Sequence, residues 1–253
     1  RFMSATWFAT EAFTEIPFDP VNGIFFVNAL PAPKNGGSIV ARDTDKPVSG
    51  NEFPRFKQMK LYSQHLKNKA VLALPAGVTR LTGLNADTCE KNSFQSVRIS
   101  ESPSRVKAMV RYTPDIDFSR PPGDKDLMVP EQELPAVNQF MAAYGLEGVS
   151  KSVLPDRLKQ IFASHFSYTL ELKGKGTASS ALENFLINTR SGHCELFAAA
   201  TVLILRKAGI PARYATGFLV HESSMFDRYL IVRNRDAHAW CKFYFNGQWQ
   251  DLD

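Results

Sequence analysis

The sequence predicts an α+β chain in which a central helix carrying a cysteine packs on an antiparallel sheet, preceded by a mostly β N-terminal domain. Three observations carry that expectation. Short aromatic and β-branched runs broken by proline and glycine fill the first half, and helically spaced apolar residues take over after about residue 125. Alternating strands then close the chain around Asn246-Gly247, a strong hairpin signal. The stretch from Pro114 to Pro135, with Pro121-Pro122-Gly123 and a mixed-charge run, reads as a linker, so the expected domains are 1–125 and 126–253.

Composition narrows the function classes. Of 253 residues, 44% are hydrophobic and 22% charged, a balance that excludes disordered and fibrous chains. The net charge of +5 comes from scattered Lys and Arg, which argues against nucleic acid binding. Cys89, Cys194 and Cys241 form neither a C-x-x-C pair nor a disulfide framework, so cysteine usage leaves the compartment open. No apolar run approaches the roughly 20 residues of a membrane span. Leu196 to Leu205 is apolar almost throughout and reads as a buried helix. The chain starts at Arg1 without a signal peptide and stops abruptly at Asp253, and is expected to be part of a longer protein.

Residues 1–50 are aromatic-rich, with Pro17, Pro20, Pro31, Pro33 and Pro47 and the glycines Gly36, Gly37 and Gly50 as punctuation. Ile24 to Val27, Val71 to Leu74, Phe94 to Ile99 and Val106 to Tyr112 are strand candidates between turns, the pattern of a sandwich or barrel. This half carries no recognisable chemistry and is expected to be a scaffold or interaction domain.

In the second half, Leu134, Val137, Met141 and Tyr144 fall at helical spacing, with Gly145 as a stop. Leu154, Leu158, Ile161, Phe162 and Phe166 mark a second helix with Pro155 in its first turn. A strand at 168–172, a Gly-Lys-Gly turn and a third helix at 181–187, with Leu182, Phe185 and Leu186 inward, lead to Ser191-Gly192. The helix that follows begins near Cys194. It ends at Arg206-Lys207, with Gly209 suited to the left-handed cap and Pro211 blocking continuation. Strands are expected at 213–220, 229–233, 237–245 and 248–253.

The last hairpin permits a geometric inference. A two-residue loop at Asn246-Gly247 pairs Phe245 with Gln248, and counting outward sets Asp253 opposite Trp240. His238, Trp240 and Asp253 then share a face, and Asp253 becomes the diagonal neighbour of His238. Asp251 lies opposite Lys242, and Asp236 belongs to the preceding loop, so Asp253 is the better orienting acid.

These residues fit nucleophilic thiol chemistry, which needs a thiolate, an imidazole beside it and a group that fixes the imidazole. Cys194 lies where orphan N–H groups and the helix dipole favour negative charge. His238 would take the thiol proton, Cys194 would attack an amide carbonyl to form a thioester, and water or an amine would resolve it. The Cys194 backbone N–H would hold the oxyanion, with the second donor open between Trp240 and Tyr168. Cys241 alternates away from His238, and Cys89 reads as incidental in a polar loop. His193 suits a structural or substrate-wall role; His165, His221 and His65 suit none, and Glu195 reads as a first-turn acid. His193, Cys194 and His238 lack the close-paired spacing of a metal site, so neither metal nor cofactor is expected.

At these residues the chain resembles the transglutaminase-like superfamily within the papain-like cysteine fold, its bacterial members above all. The matching stretches are Gly192 to Ala198, Leu205 to Arg213 with the following Thr216-Gly217-Phe218, Asp236 to Trp240, and Trp249 to Asp253. Upstream, Phe166 to Leu170 and Phe185-Leu186 also match, so the resemblance covers roughly 150–253. It implies a papain-like, transglutaminase-like core and a Cys194–His238–Asp253 triad. It also implies an amide-bearing protein or peptide substrate. The family's aspartate is usually followed by Pro-Thr, so a C-terminal part is expected beyond Asp253. Many bacterial relatives lie outside the cytoplasmic membrane, tethered by spans beyond the catalytic domain, which implies an extracytoplasmic domain here. The family holds cross-linking enzymes, peptidases and amidases, so amine transfer and hydrolysis both stay open. A catalytically silent papain-like interaction module is the alternative.

Overall fold

The computed structural model describes residues 12–28, 55–64, 69–114, 116–171, 180–220, 222–223 and 230–253. Expectations placed on 31–50, 172–176, His65, His221 and Tyr229 lie outside the described residues. The chain divides into two compact units, one within 11–120 and the other at Pro121–Asp253.

The described strands of the first unit are β1 (Thr14–Glu15), β2 (Phe18–Asp19), β3 (Ile24–Phe26), β4 (Lys57–Gln64), β5 (Lys69–Val71), β6 (Val78–Thr82), β7 (Thr88–Lys91), β8 (Val97–Ser100) and β9 (Arg105–Tyr112). They form one sheet ordered β2-β3-β6-β9-β4 and another ordered β1-β7-β8-β5. Phe25, Leu61, Leu81 and Val110 from the first meet Cys89, Val97 and Ile99 from the second in one apolar core. Two open sheets closing over a shared core make a sandwich rather than a barrel. The strands expected at 71–74 and 94–99 lie instead at β5 and β8. Cys89 is also placed differently from expectation. It belongs to β7 opposite Ile99, is 1% exposed, and burial pushes its thiol up to about 12.

The second unit runs α1 (Leu134–Ala143), α2 (Leu154–His165), β10 (Ser167–Tyr168), α3 (Ala181–Glu183), β11 (Ser191–Gly192), α4 (Cys194–Lys207), β12 (Ala212–Phe218), β13 (Glu222–Ser223), β14 (Leu230–Ile231), β15 (Ala237–Phe245) and β16 (Gln248–Leu252). Helices α1 and α2 occur where the apolar spacing predicts them, each with a proline in its first turn and its apolar face buried. The third helix does not stay α-helical. After α3 the chain widens to a π-helix over Asn184–Thr189, and left-handed Arg190 closes it with its N–H on the Phe185 carbonyl. The strand expected at 168–172 shortens to β10, because its partner β11 is itself two residues long. The pair is parallel, sets Tyr168 beside Gly192, and is extended by the Thr169 N–H on the Gly192 carbonyl at 2.8 Å.

Helix α4 is the centre of this unit. Its residues Leu196 and Ala198 through Arg206 are buried, and they share a core with Phe140, Leu158, Phe162, Phe185, Cys241 and Phe243. The sheet ordered β12-β15-β16 supports it. Two arginines, Arg206 in its last turn and Arg213 just beyond it, tie its carboxyl end. Arg206 donates to the Ala212 and Met128 carbonyls, both at 2.9 Å. Arg213 grips both carboxylate oxygens of Asp126 at 3.0 Å and lies 3.7 Å over the Trp249 ring. Among the described residues no helix is long and apolar enough to cross a membrane.

Glu133 links the first helix to the approach to Cys194. Fully buried, it accepts from the Ser180 hydroxyl at 2.8 Å, and Ser180 in turn caps α3 by accepting the Glu183 N–H at 3.0 Å. Its second oxygen has no hydrogen-bond partner, and burial raises the carboxyl above its ordinary value. The folded state therefore holds this proton more tightly than the unfolded chain. The resulting stabilisation is full below the unfolded value of about 4.3 and is lost as pH rises through the raised folded value. Glu133→Gln keeps an acceptor for Ser180 without the buried charge. Thermal unfolding should show a higher Tm for this variant at pH 7 and little difference at pH 4.

Candidate active site

Cys194 is the first residue of α4, and extended His193 precedes it as the helix cap (φ −104°, ψ 177°). Its N–H is thus one of the helix's orphan donors, and the dipole of a 14-residue helix points at its sulfur. Gly192 is needed behind it: a Cβ there would lie 2.6 Å from Leu196 Cδ1 and 3.1 Å from Phe185 Cδ2. The thiol side chain is half-buried, unlike the buried Cys89 and Cys241.

His238 is the second residue of β15. The Asn246–Gly247 turn has positive φ at both positions (50° and 83°), the requirement of a two-residue hairpin that follows strand twist. The observed register pairs Phe245 with Gln248 and Cys241 with Leu252, as counted from that turn. Asp253, next along, brings its Oδ2 to 2.8 Å from His238 Nε2. That leaves Nδ1 as the ring nitrogen free of the carboxylate. The His238 side chain is 14% exposed and the Asp253 side chain 57%.

Trp240 stacks beside His238, ring centroids 6.3 Å apart and planes 13° from parallel. Gly217 makes room for it, since a Cβ there would lie 2.8 Å from Trp240 Cη2. The Trp240 indole N–H donates to Asp251 Oδ1 at 2.9 Å. Tyr168, though exposed over more than half its surface, has its hydroxyl against Cys194. Partial burial first, then the neighbouring thiol and the Asp253 carboxylate, raise its phenol above the ordinary value, while the Cys194 backbone N–H pulls the other way. Its ring lies nearly parallel to Phe197, 6.4 Å away.

One cavity of about 340 Å³ contains this chemistry. Cys194, His238 and Asp253 line it together with Tyr168 and Trp240, and α2 contributes Leu158, Lys159, Phe162 and Ala163. The sequence residues singled out for thiol chemistry thus converge on one space.

Residues 150–253 match the profile of the transglutaminase-like superfamily. These residues form a transglutaminase-like domain. The protein-glutamine gamma-glutamyltransferase of Pseudomonas aeruginosa is 40% identical over 89 residues, 35% of this chain and 13% of that protein. The uncharacterized protein YebA of Bacillus subtilis is 36% identical over 75 residues, 26% of this chain and 10% of that protein. The chain therefore spans a small part of the length of these curated relatives. The crystal structure of the periplasmic domain of TgpA from Pseudomonas aeruginosa superposes with a TM-score of 0.61 at 22% identity, covering 80% of this chain and 70% of that one. The shared fold thus extends beyond the transglutaminase-like domain.

The other residues singled out in the sequence are placed as follows. Cys241 is fully buried in β15, and burial drives its thiol upward. His193 is buried at the helix cap and does not line the cavity. Asp236 is buried and accepts the Arg233 N–H at 2.7 Å, a turn-forming role. Glu195 sits in the first turn of α4 and, after burial, helps to raise the Tyr214 phenol. Among the described residues no group of three His, Cys, Asp or Glu is placed to hold a metal ion. Sequence reasoning missed the contribution of α2. Phe162 and Phe166 carry helical spacing that assigns them to a core, and nothing in that spacing says that a core face also walls a cavity.

Burial separates the three thiols chemically. At pH 7, iodoacetamide should alkylate Cys194 at least about 100-fold faster than Cys89 or Cys241, as read by peptide mass spectrometry. Equal rates for all three would remove the case for a reactive thiol.

Proposed function

We propose that the transglutaminase-like domain is a cysteine-dependent acyl-transfer enzyme acting on glutamine side-chain amides of proteins or peptides, on the outer side of a cytoplasmic membrane. The observation that carries the reading is the His238–Asp253 hydrogen bond of 2.8 Å beside a half-buried Cys194 in one cavity. The names of the similar proteins support the substrate and the compartment, one a protein-glutamine gamma-glutamyltransferase and the other a periplasmic domain.

In this reading Asp253 orients His238 through Nε2, and Nδ1 takes the Cys194 proton. The sulfur attacks the carboxamide carbon, and the tetrahedral intermediate collapses as His238 returns the proton to the departing nitrogen. Ammonia leaves and a thioester remains. A primary amine then attacks the thioester carbonyl, its proton passing to His238 and on to the sulfur, to give a secondary amide. Water in the same place gives the carboxylate.

The oxyanion needs donors. The Cys194 N–H is one, an amide at the helix start with no partner inside the helix, which the Tyr168 phenol oxygen meets in the free protein. Between the two side chains considered, Trp240 has its N–H committed to Asp251, whereas the Tyr168 hydroxyl already lies at the Cys194 N–H and sulfur. Tyr168 is assigned as the second donor. Its raised phenol stays protonated across neutral pH, as a donor must.

The test supplies a fluorescent primary amine and a glutamine peptide. Wild-type protein should incorporate the amine and Cys194→Ala should not. Ammonia release without incorporation would move the reading to hydrolysis. Tyr168→Phe keeps the ring and loses the hydroxyl, so kcat should fall about 10²–10³-fold with KM little changed. An unchanged or faster Tyr168→Phe enzyme would make the phenol a plug of the site instead of a donor.

A further inference from the structure

One wall of the cavity carries no acid, base or nucleophile. It consists of Leu158, Phe162 and Ala163 from α2, Phe166 beyond it, and Phe197 from α4, with exposed Lys159 at its edge. We propose that this wall binds a large apolar side chain adjacent to the reactive carboxamide, so that the preferred acyl donor is a peptide segment whose glutamine is flanked by Phe, Leu or a similar residue. The proposal rests on the acyl-transfer reading and adds the substrate class to it.

Three features support it. First, the wall is preformed. Phe162 meets Phe166 edge-on at 5.0 Å and Phe197 at 5.5 Å, and Phe185 backs Phe166 and Phe197 at 5.1 and 4.8 Å. Interlocked rings of this kind do not collapse into an empty space, so a ligand pays little to organise them. Second, the wall is continuous with Cys194 in a cavity of about 340 Å³, near the small end of ligand sites, which suits a side chain and its neighbouring amide. That continuity identifies the occupant as the substrate's own acyl-donor segment. Third, the chemistry is one-sided. A polar side chain placed against Phe162, Phe166 and Phe197 gives up water without gaining a partner, and a basic one also meets the charge of Lys159.

The experiment uses glutamine peptides flanked on both sides by Phe, Leu, Ala or Lys. Their binding to the Cys194→Ala protein is measured by calorimetry, and their kcat/KM with wild type by amine incorporation and ammonia release. Phe and Leu peptides should bind about tenfold or more tightly than the Ala peptide, with Lys weakest. Ala163 is exposed on α2, so Ala163→Phe fills the space without entering the core. Combined with Cys194→Ala, and with the fold checked by circular dichroism, it should erase the preference. Equal binding across the series, or a preference that Ala163→Phe leaves intact, overturns the proposal. Tight, selective binding without turnover keeps the apolar subsite and overturns the acyl-transfer reading. Turnover without selectivity does the reverse.

Discussion

The register of β15 is the constraint on which both the fold and the site depend. Ala239, Cys241 and Phe243 are buried, and the latter two enter the core built on α4, while His238, Trp240 and Lys242 between them stay partly exposed. A shift of one residue would exchange the two sets, opening the core and burying the imidazole together. The Asn246–Gly247 turn specifies the register at one end. At the other, β12 runs alongside from Ala212 opposite Phe243 to Phe218 opposite Ala237. Asp253 reaches His238 because the hairpin leaves it no other row.

Rigid support then explains how a thiol can be poised at a surface. Cys194 sits at the edge of the most buried helix of its unit, with Gly192 closely packed behind it and the Arg206 and Arg213 bonds securing the far end. The buried Arg213–Asp126 pair is bidentate and covered by Trp249, so its lost hydration is compensated by two charge-assisted bonds and a ring face. The two other cysteines, in contrast, are held by burial in their protonated form. One chain thus contains one thiol in a position to react and two that serve as small apolar residues.

Much of the transglutaminase-like domain is legible in the sequence because its signals are local and agree with one another. Leu154 to Phe166 has helical spacing after a first-turn proline, Gly209 and Pro211 end α4, and Asn246-Gly247 fixes the hairpin. The sandwich is less legible. Strand β4, Lys-Gln-Met-Lys-Leu-Tyr-Ser-Gln, buries Leu61 and leaves most of its polar residues outside, so it lacks the apolar run that marks a strand. Cys89 looks like a loop residue because Asn85, Asp87 and Glu90 surround it, yet pairing across the sheet with Ile99 buries it. The π-helical turn at Asn184–Thr189 and the apolar wall beside Cys194 depend on packing between distant segments, which periodicity does not encode. Tyr168 is intermediate: its motif marks it, but its place beside Gly192 and against Cys194 becomes visible when β10 pairs with β11.

In the proposed reaction Cys194, served by His238 and Asp253, forms a covalent acyl intermediate. Rapid acid quench of the protein with a glutamine peptide, followed by intact mass spectrometry and peptide mapping, tests it directly. The expected adduct equals the peptide less ammonia, is located on Cys194, is discharged by added amine and is missing from Cys194→Ala. An adduct on another residue, or turnover with no adduct at Cys194 at any quench time, would contradict it.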